Sequence, residues 1–348
     1  MKKILCLILS LIFIFTLTAC TNNSGEAQPV PDNTLSESNG SSSSSPSFPS
    51  QTPDPTELTP RISSSTELSD ENTENYPIDF NSMVVKGDSG GPLSTGLTPL
   101  MKMSYTASEG KKLSTAKQSH SHGPASGGEP HHTVVDFQKN FDKYYAVTLD
   151  TVSDEKAIYL TFDCGYEYEN LTASILDTLS SKKAPAAFFC TLDHIKAEPE
   201  LITRMIKEGH IVGNHSTTHP SFAEISREQM VREIESTENY LRENFGYCAR
   251  FFRFPAGEYN ESALDLVASL GYMSVFWSVA YDDWNTETVR GKDYAIEKVM
   301  SRLHDGAIIL LHSVSKDNAA ALGEIIDKAR EQGYVFRSLE DLAKTQSG

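Results

Sequence analysis

From residue 157 onward the chain repeats one pattern: a short apolar run, a polar turn, then a stretch with apolar residues at helical spacing. Ile158-Tyr159-Leu160-Thr161-Phe162 reads as a strand and 171–181 as the helix that follows. Ala186-Ala187-Phe188-Phe189-Cys190 is the next strand, and a helix begins near Glu198, where Pro199 suits the first turn. Ser226, with Gln229 three residues on, has the spacing of a capping box that opens a long helix to Phe245. Gly209, Gly271, Gly306 and Gly333 each stand where a helix hands over to a strand, a position that favours left-handed backbone. Alternation of this kind predicts an α/β fold with a parallel sheet and helices outside it. About seven strands predict a distorted (β/α)7-8 barrel, with an open doubly wound sheet as the alternative.

The first third lacks this pattern. Residues 1–20 have Lys2 and Lys3 before an apolar run from Ile4 to Leu17, which reads as a secretory signal too short to span a bilayer. The run ends in Leu17-Thr18-Ala19-Cys20, which resembles the lipobox of bacterial lipoproteins and implies lipidation at Cys20. The expected location is therefore extracytoplasmic, tethered to the outer face of the membrane through that lipid. Residues 21–130 are rich in Ser, Thr, Pro, Gly, Asn and Glu and read as a flexible spacer, and His120, His122 and the flanking His131 and His132 read as solvated histidines of that low-complexity stretch. The catalytic domain is expected to fill 131–348. A formal charge of −17 argues against nucleic acid as a partner and suits a neutral or mixed-charge polymer. Setting aside Cys6 and Cys20, three cysteines remain, too few and odd in number for a disulfide framework.

Polar residues gather at the carboxyl ends of the expected strands, where α/β barrels build their sites. Asp163 ends the first strand, His215 follows the third, Arg253 ends Arg250-Phe251-Phe252-Arg253, Asp283 follows the fifth and His312 ends the sixth. His215 and His219, four residues apart, would face one way on a helix and grip one metal ion. Taken singly, they also read as a helix-starting and a surface histidine. Asp163 is either a strand-end turn residue or a general base held ionised by Arg253. His312 is either a strand cap or a general acid whose tautomer Asp283 fixes. Trp284 reads as a cleft wall or as ordinary core packing.

Residues 155–345 resemble the polysaccharide deacetylase domain, carbohydrate esterase family 4. The resemblance rests on Thr161-Phe162-Asp163-Cys164-Gly165, His215 to His219, Arg253-Phe254-Pro255-Ala256-Gly257, Asp283-Trp284 and Leu310-Leu311-His312, in the family's order. Gly165-Tyr166-Glu167, the stretch from Phe276 to Trp284 and that from Leu310 to Ala319 are most similar to the delta-lactam-biosynthetic de-N-acetylases of spore cortex. The resemblance implies hydrolysis of an N-acetyl group on peptidoglycan, with N-acetylmuramic acid as the sugar. It implies one divalent metal, zinc above others, on His215 and His219. Asp163 would be the base, His312 the acid, and Arg253 and Asp283 their partners. Tyr166, Pro255, Trp284 and Leu311 would contact substrate, with a backbone N–H near Tyr166 or Ala256 facing the oxyanion. The enzyme is expected to act as a monomer on a glycan strand.

Two departures stand out. Cys164 occupies the position of a family aspartate that ligates the metal, and Ala280 replaces another family aspartate; the lactam-forming branch also departs at both. Three readings of Cys164 stay open: a thiolate ligand favouring zinc, a thiol filling the space of a lost ligand, and a disulfide to Cys190. The alternatives for function are deacetylation of another glycan (peptidoglycan N-acetylglucosamine, chitin oligomers or xylan) and a catalytically silent glycan-binding module.

Overall fold

The computed structural model describes residues 113–346. The expected signal, Cys20 and the spacer up to residue 112 lie outside them. Strands are β1 (Gln118–Ser119), β2 (Ala146–Val147), β3 (Ala157–Cys164), β4 (Ala186–Cys190), β5 (Ile211–Asn214), β6 (Phe251–Phe252), β7 (Glu258–Tyr259), β8 (Met273–Val275), β9 (Ile308–His312) and β10 (Val335–Phe336). Helices are α1 (His132–Phe141), α2 (Leu171–Lys182), α3 (Leu192–Ala197), α4 (Pro199–Lys207), α5 (Arg227–Phe245), α6 (Glu261–Ser269), α7 (Lys292–Met300), α8 (Lys316–Glu331) and α9 (Leu339–Gln346).

In space the main sheet runs β9-β3-β4-β5-β6-β8-β2, every pairing parallel, and β10 lies beside the first residues of β3. The sheet curls strongly. The chain leaving β8 swings back to β9, where Val279 N–H donates to Ile308 at 3.1 Å and Leu310 N–H donates to Val279 at 2.8 Å. This is the expected distorted barrel, closed on one side by irregular chain instead of a ladder of strands. The strands in the β3–β4–β5–β9 arc are buried on both faces, so they read as continuous apolar runs without alternation.

The helix signals held. Pro199 opens α4 and the Ser226–Gln229 capping box opens α5. Gly209, Gly271, Gly306 and Gly333 all have positive φ. Gly306 has a second reason to be glycine: a Cβ there would stand 2.0 Å from the Asp150 carbonyl oxygen. Gly213 is needed for another cause, because a Cβ would meet the Phe189 ring at 2.5 Å, and that ring underlies the site.

The spacer ends earlier than its composition indicates. Residues 113–130, expected to be part of it, pack on the domain. β1 pairs antiparallel with β7, and His120 N–H donates to Gly257 at 2.9 Å. His120 is buried among Phe137, Phe141, Phe276 and Trp277, with its Nε2 2.6 Å from the Trp277 carbonyl. His131 caps α1. Neither is a solvated spacer residue. A segment poor in apolar residues can still dock by main-chain pairing and by one or two rings, which composition does not register.

Candidate active site

The carboxyl ends of β3, β4, β5 and β9, with the loops after β6 and β8, surround a cavity of about 750 Å³. Asp163, His215, His219 and His312 all line it. Parallel register explains the placement: Asp163 and His312 are direct partners on β3 and β9, so both side chains leave the sheet on its inner face.

Asp163 is held from below. Arg253 Nη1 donates to Asp163 Oδ1 at 2.8 Å. The guanidinium is fully buried, donates through Nε and Nη2 to the carbonyls of Val275 and Phe276, and lies 4.1 Å above the Phe189 ring. Burial alone would raise the Asp163 pKa. The charges of Arg253, His215 and His312 outweigh it and hold the carboxyl below the usual carboxylate range. Asp163 is an anion poised beside the cavity.

His312 has the complementary arrangement. Its Nδ1 lies 2.7 Å from Asp283 Oδ1, and its backbone N–H donates to Asp283 Oδ2 at 2.8 Å. Asn318 Nδ2 donates to the same Oδ2, and the Tyr281 hydroxyl donates to Asn318 Oδ1. Burial would lower the His312 pKa, but the Asp283 hydrogen bond and the charges of Asp283 and Asp163 leave it above the ordinary 6.5. The proton on Nδ1 points at Asp283, so Nε2 is the nitrogen available for exchange. Asn318 and Tyr281 lie in stretches that carry the family resemblance, yet nothing in their spacing marks them as supports.

The histidine pair is real, but no helix makes it. Residues 215–220 form a loop, with Ser216 and His219 both at positive φ. Asn214 Oδ1 accepts from Ser216 N–H, and the Glu233 carboxylate on α5 accepts from the N–H groups of Thr217 and Thr218. These bonds replace the helical ladder and bring the two rings to 4.8 Å, edge to face. The two rings meet as the i,i+4 spacing predicts, but through a loop and not a helix face. Glu233 had no signal that sequence reasoning could use, being one glutamate among many on an amphipathic helix.

Both rings suit a divalent metal. His215 Nδ1 donates to the Arg253 carbonyl at 2.9 Å, which leaves the Nε2 lone pair facing Asp163 Oδ2 at 3.5 Å. Burial lowers His215 to about 4 and also lowers His219, so both imidazoles are neutral donors at physiological pH. Two neutral nitrogens beside a carboxylate, open to a cavity, fit a catalytic ion whose other positions take water and substrate oxygen.

Three expectations need correction. Cys164 does not line the cavity. Side chains alternate along β3, so Asp163 points inward and Cys164 to the helix side, where its thiol meets Cys190 and His194. The cysteines are free, so no Cys164–Cys190 disulfide exists here. Leu311 is buried on the outer face of β9, and its neighbour Leu310 lines the cavity instead. Pro255 is buried at the start of a short 3-10 turn, and the residue that reaches the cavity is Ala256, at φ 53°. Tyr166 and Trp284 do line the mouth, 52% and 63% exposed, which rules out core packing for Trp284. The structure also adds His122 to the lining; it accepts from Trp277 Nε1 at 3.2 Å.

Comparison with known proteins accords with this geometry. The sequence signature described as polysaccharide deacetylase matches residues 150–275. The chain is 39% identical over 227 residues to the peptidoglycan-N-acetylmuramic acid deacetylase PdaA of Bacillus subtilis, covering 65% of this chain and 83% of PdaA. This chain belongs to the polysaccharide deacetylase family. An uncharacterised 30.6 kDa protein of Geobacillus stearothermophilus is 40% identical over 227 residues, with the same coverage. The solved structure of PdaA, a family 4 carbohydrate esterase, superimposes with a TM-score of 0.63 at 37% identity, covering 66% of this chain and 98% of PdaA. A family 4 carbohydrate esterase from Bacillus anthracis gives a TM-score of 0.55 at 37% identity, over 67% of this chain and 99% of that one. As a polysaccharide deacetylase the chain is a hydrolase.

Proposed function

We propose that this polysaccharide deacetylase removes the N-acetyl group of N-acetylmuramic acid in peptidoglycan, on the route to muramic delta-lactam. The observation that carries the chemistry is the adjacency of two oppositely tuned groups, Asp163 held as an anion and His312 with its proton-bearing form favoured by Asp283, at the ends of paired strands. The choice of sugar is supported by the identity with PdaA, whose name states that substrate.

Asp163 takes the proton of the attacking water, and Arg253 keeps the carboxylate ionised and aimed while it does so. His215 and His219 would hold one divalent ion, zinc above others, which polarises the acetyl carbonyl when bound. The loops carrying Tyr166 and Ala256 lie at the cavity and supply backbone N–H groups to the developing oxyanion. His312 gives its Nε2 proton to the departing amine, with Asp283 stabilising the imidazolium until transfer. Trp284 and Tyr166 offer flat apolar faces at the mouth for neighbouring sugar rings. Anchoring through Cys20 would keep the enzyme outside the membrane, where the polymer lies.

The test is acetate release from peptide-free muramyl glycan and, in parallel, from chitooligosaccharide. Release from the muramyl glycan, abolished by a chelator and restored by zinc, is the expected result. Activity on chitooligosaccharide alone defeats the choice of sugar. Undiminished activity after exhaustive chelation defeats the metal.

A further inference from the structure

Behind the catalytic aspartate lies a second group of ligand-type side chains. Cys164 ends β3, Cys190 ends β4 and is its register partner, and His194 sits on α3 just after. One ligand atom from each lies within 4.8 Å of the others, and all three residues are buried. The imidazole is the unusual member. His194 is only 1% exposed, yet neither Nδ1 nor Nε2 has a hydrogen-bond partner. Leaving two polar atoms of a buried ring unpaired costs about 1–3 kcal/mol for each group, so both nitrogens of this ring are open to a ligand. Glu167 stands close enough for its charge to act on His194, and its Oε2 is also buried without a partner. Its Oε1 accepts from Thr172 N–H at 3.2 Å, which fixes the carboxylate.

We propose that Cys164, Cys190 and His194 bind a zinc ion in a site separate from the catalytic pair. The donor chemistry selects the cation: two sulfurs and one nitrogen suit a borderline-soft ion and suit magnesium or calcium poorly. On binding, each thiol gives its proton to solvent as its metal–sulfur bond forms, and no oxidant is involved. His194 is already neutral, because burial lowers its pKa. The ion ties the paired ends of β3 and β4 to α3. It thereby fixes the strand end from which Asp163 projects on the opposite face. This site makes no use of the catalytic reading, and each can fail without the other.

Cobalt substitution separates the two sites in the full chain, because only a thiolate site gives a sulfur-to-cobalt charge-transfer band in the near ultraviolet. The band is expected in the His215→Ala/His219→Ala variant, which lacks the catalytic pair, and should vanish in Cys190→Ser and in His194→Ala. A band lost in the first variant and kept in His194→Ala would overturn the proposal, because Cys164 would then serve the catalytic ion. If the variants do not fold, the wild-type chain still decides. Titrating its thiols with an organomercurial, with a zinc-sensitive dye present, should release zinc in step with sulfur modification. Thiol modification without zinc release, from protein reconstituted with zinc, sinks the idea, as does finding Cys164 and Cys190 joined in a disulfide.

Discussion

Two carboxylates serve this cavity, each tied to a cation, and the cations differ in one property. Arg253 does not titrate at any working pH, so Asp163 is fixed as an anion and becomes the member of its pair that exchanges a proton. In the neighbouring pair the carboxylate is the member anchored by hydrogen bonds. Asp283 is buried and receives hydrogen bonds from His312 Nδ1, His312 N–H and Asn318, which leaves the imidazole to carry the proton. In the proposed mechanism the same charge pairing yields a base at one strand end and an acid at the next. What separates the roles is whether the cation can let go.

The sharpest way to break this comparison is to remove the charge that Arg253 stabilises. Asp163→Asn keeps the shape and one acceptor for Arg253 while abolishing the base. We expect kcat for acetate release to fall about a thousand-fold or more, in the upper part of what general acid–base groups contribute, with an unchanged circular dichroism spectrum. A loss below tenfold would mean that another group takes the proton.

Asp283→Asn tests the other pair, and pH reads it out. Asp283 holds the His312 pKa above 6.5, so the acid form persists to higher pH than in a free imidazole and is lost as pH rises through that raised value. Without the carboxylate the His312 pKa falls, so the alkaline limb of kcat/KM should move to lower pH. At neutral pH the rate should drop by about a hundred-fold. An alkaline limb that stays in place would assign it to a group other than His312.

A smaller effect is expected behind the histidine loop. Glu233 is 18 residues of chain away from His215 and touches no reacting atom, yet its carboxylate organises the turn that brings the two rings together. Glu233→Ala should weaken metal affinity by about tenfold, the usual order for a residue that orients ligands, and leave kcat at saturating metal nearly unchanged. Equal affinity in variant and wild type, measured against a zinc buffer, would show that the loop keeps its shape unaided.

Much of this architecture was legible before the fold was known, and the reasons differ from part to part. Strands β3, β4 and β9 and helix α5 announce themselves because apolar runs, a capping box and turn glycines are local signals. Asp163, Arg253 and His312 could be read because each stands at or just past a strand end, and strand ends of a parallel barrel converge; Asp283 reaches them from the irregular chain beyond β8. Facing was harder. Whether Cys164 or Asp163, and whether Leu310 or Leu311, looks inward depends on the pleat, and doubly buried strands give no alternation from which to infer it. The His215–His219 loop depends on two left-handed non-glycine residues and a distant glutamate, none of which any periodicity encodes.

The least legible part is the segment before α1, and it sets the mildest prediction. His120 and His122 sit in a Ser- and Gly-rich stretch with no apolar period, yet the first is core and the second lines the cavity. His122 Nδ1 accepts from Trp277 Nε1, so its Nε2 carries the other hydrogen bond, to the Ala280 carbonyl at 3.2 Å. The imidazole therefore pins the chain between β8 and Asp283, the stretch that closes the barrel. His122→Ala removes hydrogen bonds worth about 0.5–1.5 kcal/mol each, which predicts a KM rise of roughly two- to tenfold with kcat little changed. If kcat fell with KM constant, His122 would have to act on the acid pair through Asp283, and the two carboxylate–cation pairs would no longer be independently supported.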